Sequence, residues 1–210
     1  PVNTLLEITI GFNFDPDLSG STASSAESDI RTAIINYFNT NLNTFDSVFR
    51  KSQILSTIDA VSPAVLDSTL SVKMQQPFTP TLNTTADYTV VFPAAISSPS
   101  STDYIITSNS FTFNNQTVSI KNRLGSTPLE ICTLDATPIV LKDNAGSYNA
   151  STGTITLAGF NISAITTGTT IKLSATPANQ NTLKPLRNYI LKVDEAKLII
   201  SSTLDFQNTP

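Results

Sequence analysis

Residues 21–74 constrain the fold more than any other stretch, because one run of the chain carries two helical patterns and an alternating strand. Ser24-Ser25-Ala26-Glu27 sets a serine three positions ahead of a glutamate, the spacing at which each side chain bonds the other's backbone N–H and starts a helix. Ala26, Ile30, Ala33, Ile34, Tyr37 and Phe38 follow at helical intervals. At ~100° per residue they share one face, which must be buried. Ile35 and Leu42 fall to one side and widen the apolar arc to roughly 200°, more than a helix on a single surface needs, so two contact surfaces are expected. The helix is expected to fade across Asn39-Thr40-Asn41-Leu42-Asn43, where short polar side chains compete for the backbone.

Ser47-Val48-Phe49-Arg50 reads as a brief extended segment, and Ser52 as the N-cap of a second helix carrying Ile54, Leu55, Ile58 and Val61. Pro63 should stop that helix. Leu70, Val72 and Met74 then alternate with Ser71, Lys73 and Gln75, the period of a half-buried strand. Ahead of the helices, Leu6, Ile8, Ile10, Phe12 and Phe14 alternate with Glu7, Thr9, Gly11 and Asn13, the cleanest strand pattern in the chain. The unit reads strand, helix, helix, strand.

The character changes near Pro77, where Pro77-Phe78-Thr79-Pro80 is expected to break the strand. Beyond it lie short β-patterned runs separated by Pro, Gly, Asn and Ser, at residues 88–92, 104–107, 111–113, 117–122, 130–134, 139–141, 154–160 and 169–175. Asn114-Asn115 suits a tight hairpin. Asp143-Asn144-Ala145-Gly146 and residues 149–153 read as turns or loops, and residues 154–160 and 169–175 as an antiparallel pair. The expected fold class is therefore α+β: an N-terminal strand-helix-helix-strand unit (1–77) followed by a mainly antiparallel β-sandwich or barrel-like region (78–210). Residues 189–194 and 198–204 each read as strands. A two-stranded sheet is marginal alone, so the last strands, within 187–206, are candidates to return to the first unit. The tail 207–210 is expected to be loose.

Composition removes several functions. Only 12 Lys and Arg, never clustered, and a net charge of -4 leave no electrostatic footprint for nucleic acid. No apolar run approaches the ~20 residues that cross a bilayer and no signal sequence opens the chain, so a soluble protein with no membrane partner is expected. A strand begins almost directly after Pro1, as in a piece of a longer protein. Histidine is absent, which removes Ser-His and Cys-His nucleophile pairs and the usual transition-metal ligands together. The single cysteine, Cys132, reads as a small buried hydrophobe on a strand. The 31 Thr and 18 Asn favour strands and turns, and N-x-Ser/Thr triplets at Asn83, Asn115, Asn149 and Asn161 follow from that composition.

Asp15-Pro16-Asp17-Leu18-Ser19-Gly20 resembles the first half of a calcium loop, with oxygen side chains at positions one, three and five and glycine at six. The second half does not follow, since position twelve is Ala26 and Glu27 comes one residue late. Glu27 is better placed to complement the helix dipole. A carboxylate pair for glycoside hydrolysis needs only to meet in space, and nothing in the spacing selects one. No catalytic residue, cofactor or metal is expected.

Longer runs carry a family resemblance. Phe12-Asn13-Phe14-Asp15-Pro16-Asp17-Leu18-Ser19-Gly20-Ser21, Asp29-Ile30-Arg31 with Ile35-Asn36-Tyr37-Phe38, and Phe45-Asp46-Ser47-Val48-Phe49-Arg50-Lys51-Ser52 with Ile58-Asp59 resemble the C-terminal half of baseplate wedge proteins of T-even-like contractile-tailed bacteriophages. More distantly they are similar to baseplate J-like proteins. Phe92-Pro93-Ala94-Ala95-Ile96-Ser97-Ser98-Pro99, Asp143-Asn144 with Gly146 and Tyr148, Gly159-Phe160, and Thr176-Pro177-Ala178-Asn179 with Leu183-Lys184-Pro185-Leu186-Arg187-Asn188-Tyr189-Ile190-Leu191 extend the resemblance over nearly the whole chain. It implies a non-enzymatic structural role in the virion tail baseplate, assembled in the bacterial host cytoplasm. The implied partners are a second copy, as homodimer or ring with neighbouring wedges, and other wedge proteins. Ile35 is the candidate subunit contact, because the 3.6-residue period turns it about 130° from the centre of Ile30, Ile34 and Tyr37; Leu55 or Ile58 of the second helix is the alternative partner. Two other classes compete: a carbohydrate- or surface-binding β module of an adhesin or tail fibre, and an enzyme using carboxylates alone.

Overall fold

The computed structural model describes residues 2–186 and 188–206, so the expectations for Arg187 and the tail 207–210 lie outside the described residues. In chain order the strands are β1 (Val2–Phe14), β2 (Phe49–Arg50), β3 (Val65–Phe78), β4 (Ala86–Val91), β5 (Ile106–Ser108), β6 (Phe111–Phe113), β7 (Gln116–Asn122), β8 (Pro128–Thr133), β9 (Val140–Asn149), β10 (Thr154–Phe160), β11 (Ala164–Ile165), β12 (Ile171–Ala175), β13 (Thr182–Leu183), β14 (Tyr189–Val193) and β15 (Ile199–Leu204). The helices are α1 (Ala23–Tyr37) and α2 (Lys51–Asp59). The chain is α+β, with a strand-helix-helix-strand start and a mainly antiparallel β region after it. It divides into one unit of Pro1–Lys73 with Asn179–Pro210 and another of Met74–Ala178. The division falls inside β3, short of the break expected at Pro77. Pro77 stays in register opposite Lys172, one residue before the strand ends, where the ladder is about to stop.

In the first unit, the alternation of β1 buries Leu6, Ile8, Ile10, Phe12 and Phe14. Helix α1 buries Ala26, Ile30 and Ile34. Its cap lies two residues earlier than the Ser24–Glu27 pattern predicts: Thr22 accepts the Ser25 N–H at 3.2 Å, and Glu27 turns instead to Ser202 on β15. Past Tyr37 the helix widens into a π-turn over Phe38–Leu42. The Asn41 side chain takes the Tyr37 carbonyl at 3.1 Å and the Asn43 N–H bonds Phe38 at 3.0 Å, so side-chain competition loosens the helix while Phe38 and Leu42 stay buried. Helix α2 is capped by position and not by Ser52: Arg50 is the N-cap residue without a side-chain bond, and Lys51 N–H bonds the Asn181 carbonyl at 2.9 Å beside the β2–β13 pair. Both late strands lie parallel to β1, β14 along residues 2–6 and β15 along 9–14, and β3 is the neighbour of β1 on its other side.

In the second unit the order is β3-β12-β5-β7-β8-β9-β10-β4, with β6 pairing β7 and β11. The rings of Phe78 on β3 and Tyr88 on β4, at opposite ends of that order, stand 5.1 Å apart. Phe160 lies 5.8 Å from Phe78, 6.1 Å from Tyr88 and 5.5 Å from Phe111, so the sheet curls around an aromatic core. The pairing expected between residues 154–160 and 169–175 does not form. β10 lies between β9 and β4, and β12 between β3 and β5, where Ile171, Leu173, Ser174 and Ala175 are all buried as a central strand requires. Residues 143–146 are not a turn either. They sit inside β9, whose ladder with β8 shifts register twice; Asn144 absorbs the irregularity at φ 53°, and a side chain at Gly146 would collide with the Thr156 carbonyl. Asn114 and Asn115, at φ 49° and 61°, make the tight β6–β7 hairpin.

Candidate interaction surfaces

Ile35 lies on α1 and is half-buried. Of its alternative partners on α2, Leu55 is half-buried and Ile58 fully buried. Tyr37 OH donates to Gln53 Oε1 at 2.8 Å, and a cleft of about 530 Å³ opens there among Tyr37, Asn41, Leu42, Val48, Gln53 and Ser56. Burial raises the Tyr37 phenol above its ordinary value, against the opposing charge of Arg50.

Larger apolar exposure lies elsewhere. At the β8–β9 turn, Thr133 N–H bonds the Ile139 carbonyl and Ile139 N–H bonds Thr133 Oγ1, both at 3.0 Å, which closes the neck of the loop. Leu134, Ile139 and Val140 beside that neck are 53%, 62% and 46% exposed. Leu134 and Ile139 line a hollow of about 520 Å³ together with Gln116, Thr117 and Leu141. In the first unit Phe45 and Leu186 are exposed, and Asp46, Val48, Lys184, Pro185 and Leu186 line a hollow of about 500 Å³. Sequence reading missed both groups, because Ile139-Val140-Leu141 looks like any strand core. The available signal was Pro138 and Asp135, which interrupt the run on one side.

The chemical candidates are used structurally. Asp15 is fully buried, caps the 3₁₀ turn Pro16–Leu18 by accepting the Asp17 N–H at 3.0 Å, and donates its own N–H to the Ala64 carbonyl at 2.9 Å. Cys132 is buried; burial, then the Glu130 charge, raises its thiol. Arg123 bridges Glu130 at 2.7 Å and Asp143, joining β8 and β9 at the surface. Asn149 accepts the Thr152 N–H at 3.1 Å and Asn161 donates to Thr85 at 3.1 Å, so both triplet asparagines serve turns and loops. Among the described residues no three His, Cys, Asp or Glu side chains gather as a metal site, and no helix is long and apolar enough to cross a membrane. A polar groove of about 620 Å³ runs over β9 and β10, lined by Thr127, Ser147, Asn149, Thr152, Thr154 and Thr156. No protein-family model matches the chain, and no curated protein sequence matches it.

Proposed function

We propose that this chain is a structural protein of a phage tail baseplate wedge, acting through subunit contacts during baseplate assembly. The reading begins from the wedge-protein resemblance. The observation that most supports it is the exposure of Leu134 and Ile139 beside one hollow, since apolar side chains gathered at the surface mark contacts with other proteins. The virion baseplate is then its location, host cytoplasm its site of assembly, and its partners are a second copy and neighbouring wedge proteins, with no cofactor and no chemistry. The test is mass in solution with glycan-array and hydrolase screens. A concentration-dependent dimer, weakened by Ile139→Asp and inactive in both screens, is expected; an unchanging monomer would overturn it. The hydroxyl-lined groove over β9 and β10 favours a second reading, a carbohydrate-binding β module, which specific glycan capture abolished by Thr154→Val with Thr156→Val would support.

A further inference from the structure

The outer edge of β15 carries no strand. β15 pairs with β1 from Ile199 opposite Thr9 to Leu204 opposite Phe14, and among the described residues it pairs with no other strand. Asp205 N–H bonds the Phe14 carbonyl at 3.0 Å. Backbone groups alternate in direction along a strand, so those of Leu198, Ile200, Ser202 and Leu204 point away from β1. Such an edge is a template for another chain unless charge, proline or a covering element blunts it. Residues 198–204 contain no charge and no proline, and Ile199 and Leu204 are exposed.

Two side chains of α1 supply what the strand lacks. Glu27 Oε1 accepts both the Ser202 N–H at 3.0 Å and its Oγ–H at 2.7 Å. Arg31 Nη2 donates to the Leu198 carbonyl at 2.7 Å, and Nη1 to the Glu195 carbonyl at 3.3 Å. Glu27 and Arg31 stand about one helical turn apart, and their targets stand four residues apart on the outward side of β15. The acid meets an N–H, the base meets a C=O.

We propose that Glu27 and Arg31 guard this edge, occupying the outward Ser202 N–H and the Leu198 carbonyl just ahead of the strand and so keeping β15 from pairing antiparallel with β15 of a second copy. A second copy is the occupant the strand fits. Self-pairing across a two-fold axis needs only one surface, and an uncharged strand sets no like charges opposite one another. The inference is independent of the assembly role above.

The test is Glu27→Ala with Arg31→Ala, checked for fold by circular dichroism and followed by sedimentation velocity over a concentration series. Species of at least about twice the wild-type mass are expected, their share rising with concentration. Adding Ile200→Pro removes an outward N–H, spares the side facing β1, and should restore the wild-type mass. A folded double variant that keeps the wild-type mass throughout, or an association that survives Ile200→Pro, overturns the proposal. Hydrogen exchange on the unaltered chain decides the matter even if the double variant does not fold. The Ser202 amide should exchange about tenfold more slowly than those of Ile200 and Leu204; equal rates at all three overturn the assignment.

Discussion

Replacing Phe160 by alanine tests the core of the second unit. The side chain is 1% exposed at the end of β10, with its ring against Phe78, Tyr88 and Phe111 at centroid distances of 5.5–6.1 Å. Losing the transfer free energy of a buried phenyl group costs about 2–3 kcal/mol. The void adds to that, because its walls are other rings held on β3, β4 and β6, which cannot close over it without breaking their own ladders. The expected total is about 3–5 kcal/mol, a large part of the roughly 5–15 kcal/mol that holds a domain folded. The chain has no tryptophan, so equilibrium urea unfolding is best followed by far-ultraviolet circular dichroism. The midpoint should fall by the equivalent of that cost, and Phe160→Leu should recover about half of it. A loss below about 1 kcal/mol for Phe160→Ala would refute the aromatic core.

Gly146→Ala should cost about 1–3 kcal/mol in the same assay, since its Cβ meets the Thr156 carbonyl and Leu157 Cα; an unchanged midpoint would contradict the close approach. Ile35→Lys should cost less than about 1.5 kcal/mol, because a half-buried site lets the ammonium reach water, and should weaken self-association in sedimentation; unchanged mass, or unfolding on dilution, would count against a subunit contact there. Cys132 should react with thiol reagents only after denaturation, and fast labelling of the native chain would contradict its burial. Burial raises the Cys132 thiol and the Tyr148 and Tyr189 phenols, so the folded state keeps protons that the unfolded chain releases above about pH 9. Stability should therefore fall as pH rises past that point; a flat urea midpoint up to about pH 11 would contradict the shifts.

Local pattern carried the fold where one face of an element meets one core. The period of β1, the apolar stripe of α1 and the Asn114–Asn115 turn were legible because each depends on neighbours in sequence. The cap of α1 was misplaced because Ser24 and Thr22 are both capping residue types, and Glu27 had a partner far along the chain in Ser202. The pairing of β10 and β12 was misread for the same kind of reason: adjacency in sequence favours a hairpin, while β12 is buried on both faces and takes a central place. At Asp143-Asn144-Ala145-Gly146 turn-forming residues serve a bulged strand, which composition alone does not distinguish from a reversal. The apolar group at Leu134, Ile139 and Val140 was invisible because exposure is a property of the assembled sheet, not of the run itself.

The most direct test of the proposed assembly role is an electron cryo-microscopy map of the assembly that purifies with this chain. The account predicts density for both units in the wedge, with the group around Ile139 covered by a second copy or a neighbouring wedge protein. Density for the chain at a receptor-binding fibre tip, with that group open to solvent, would contradict it.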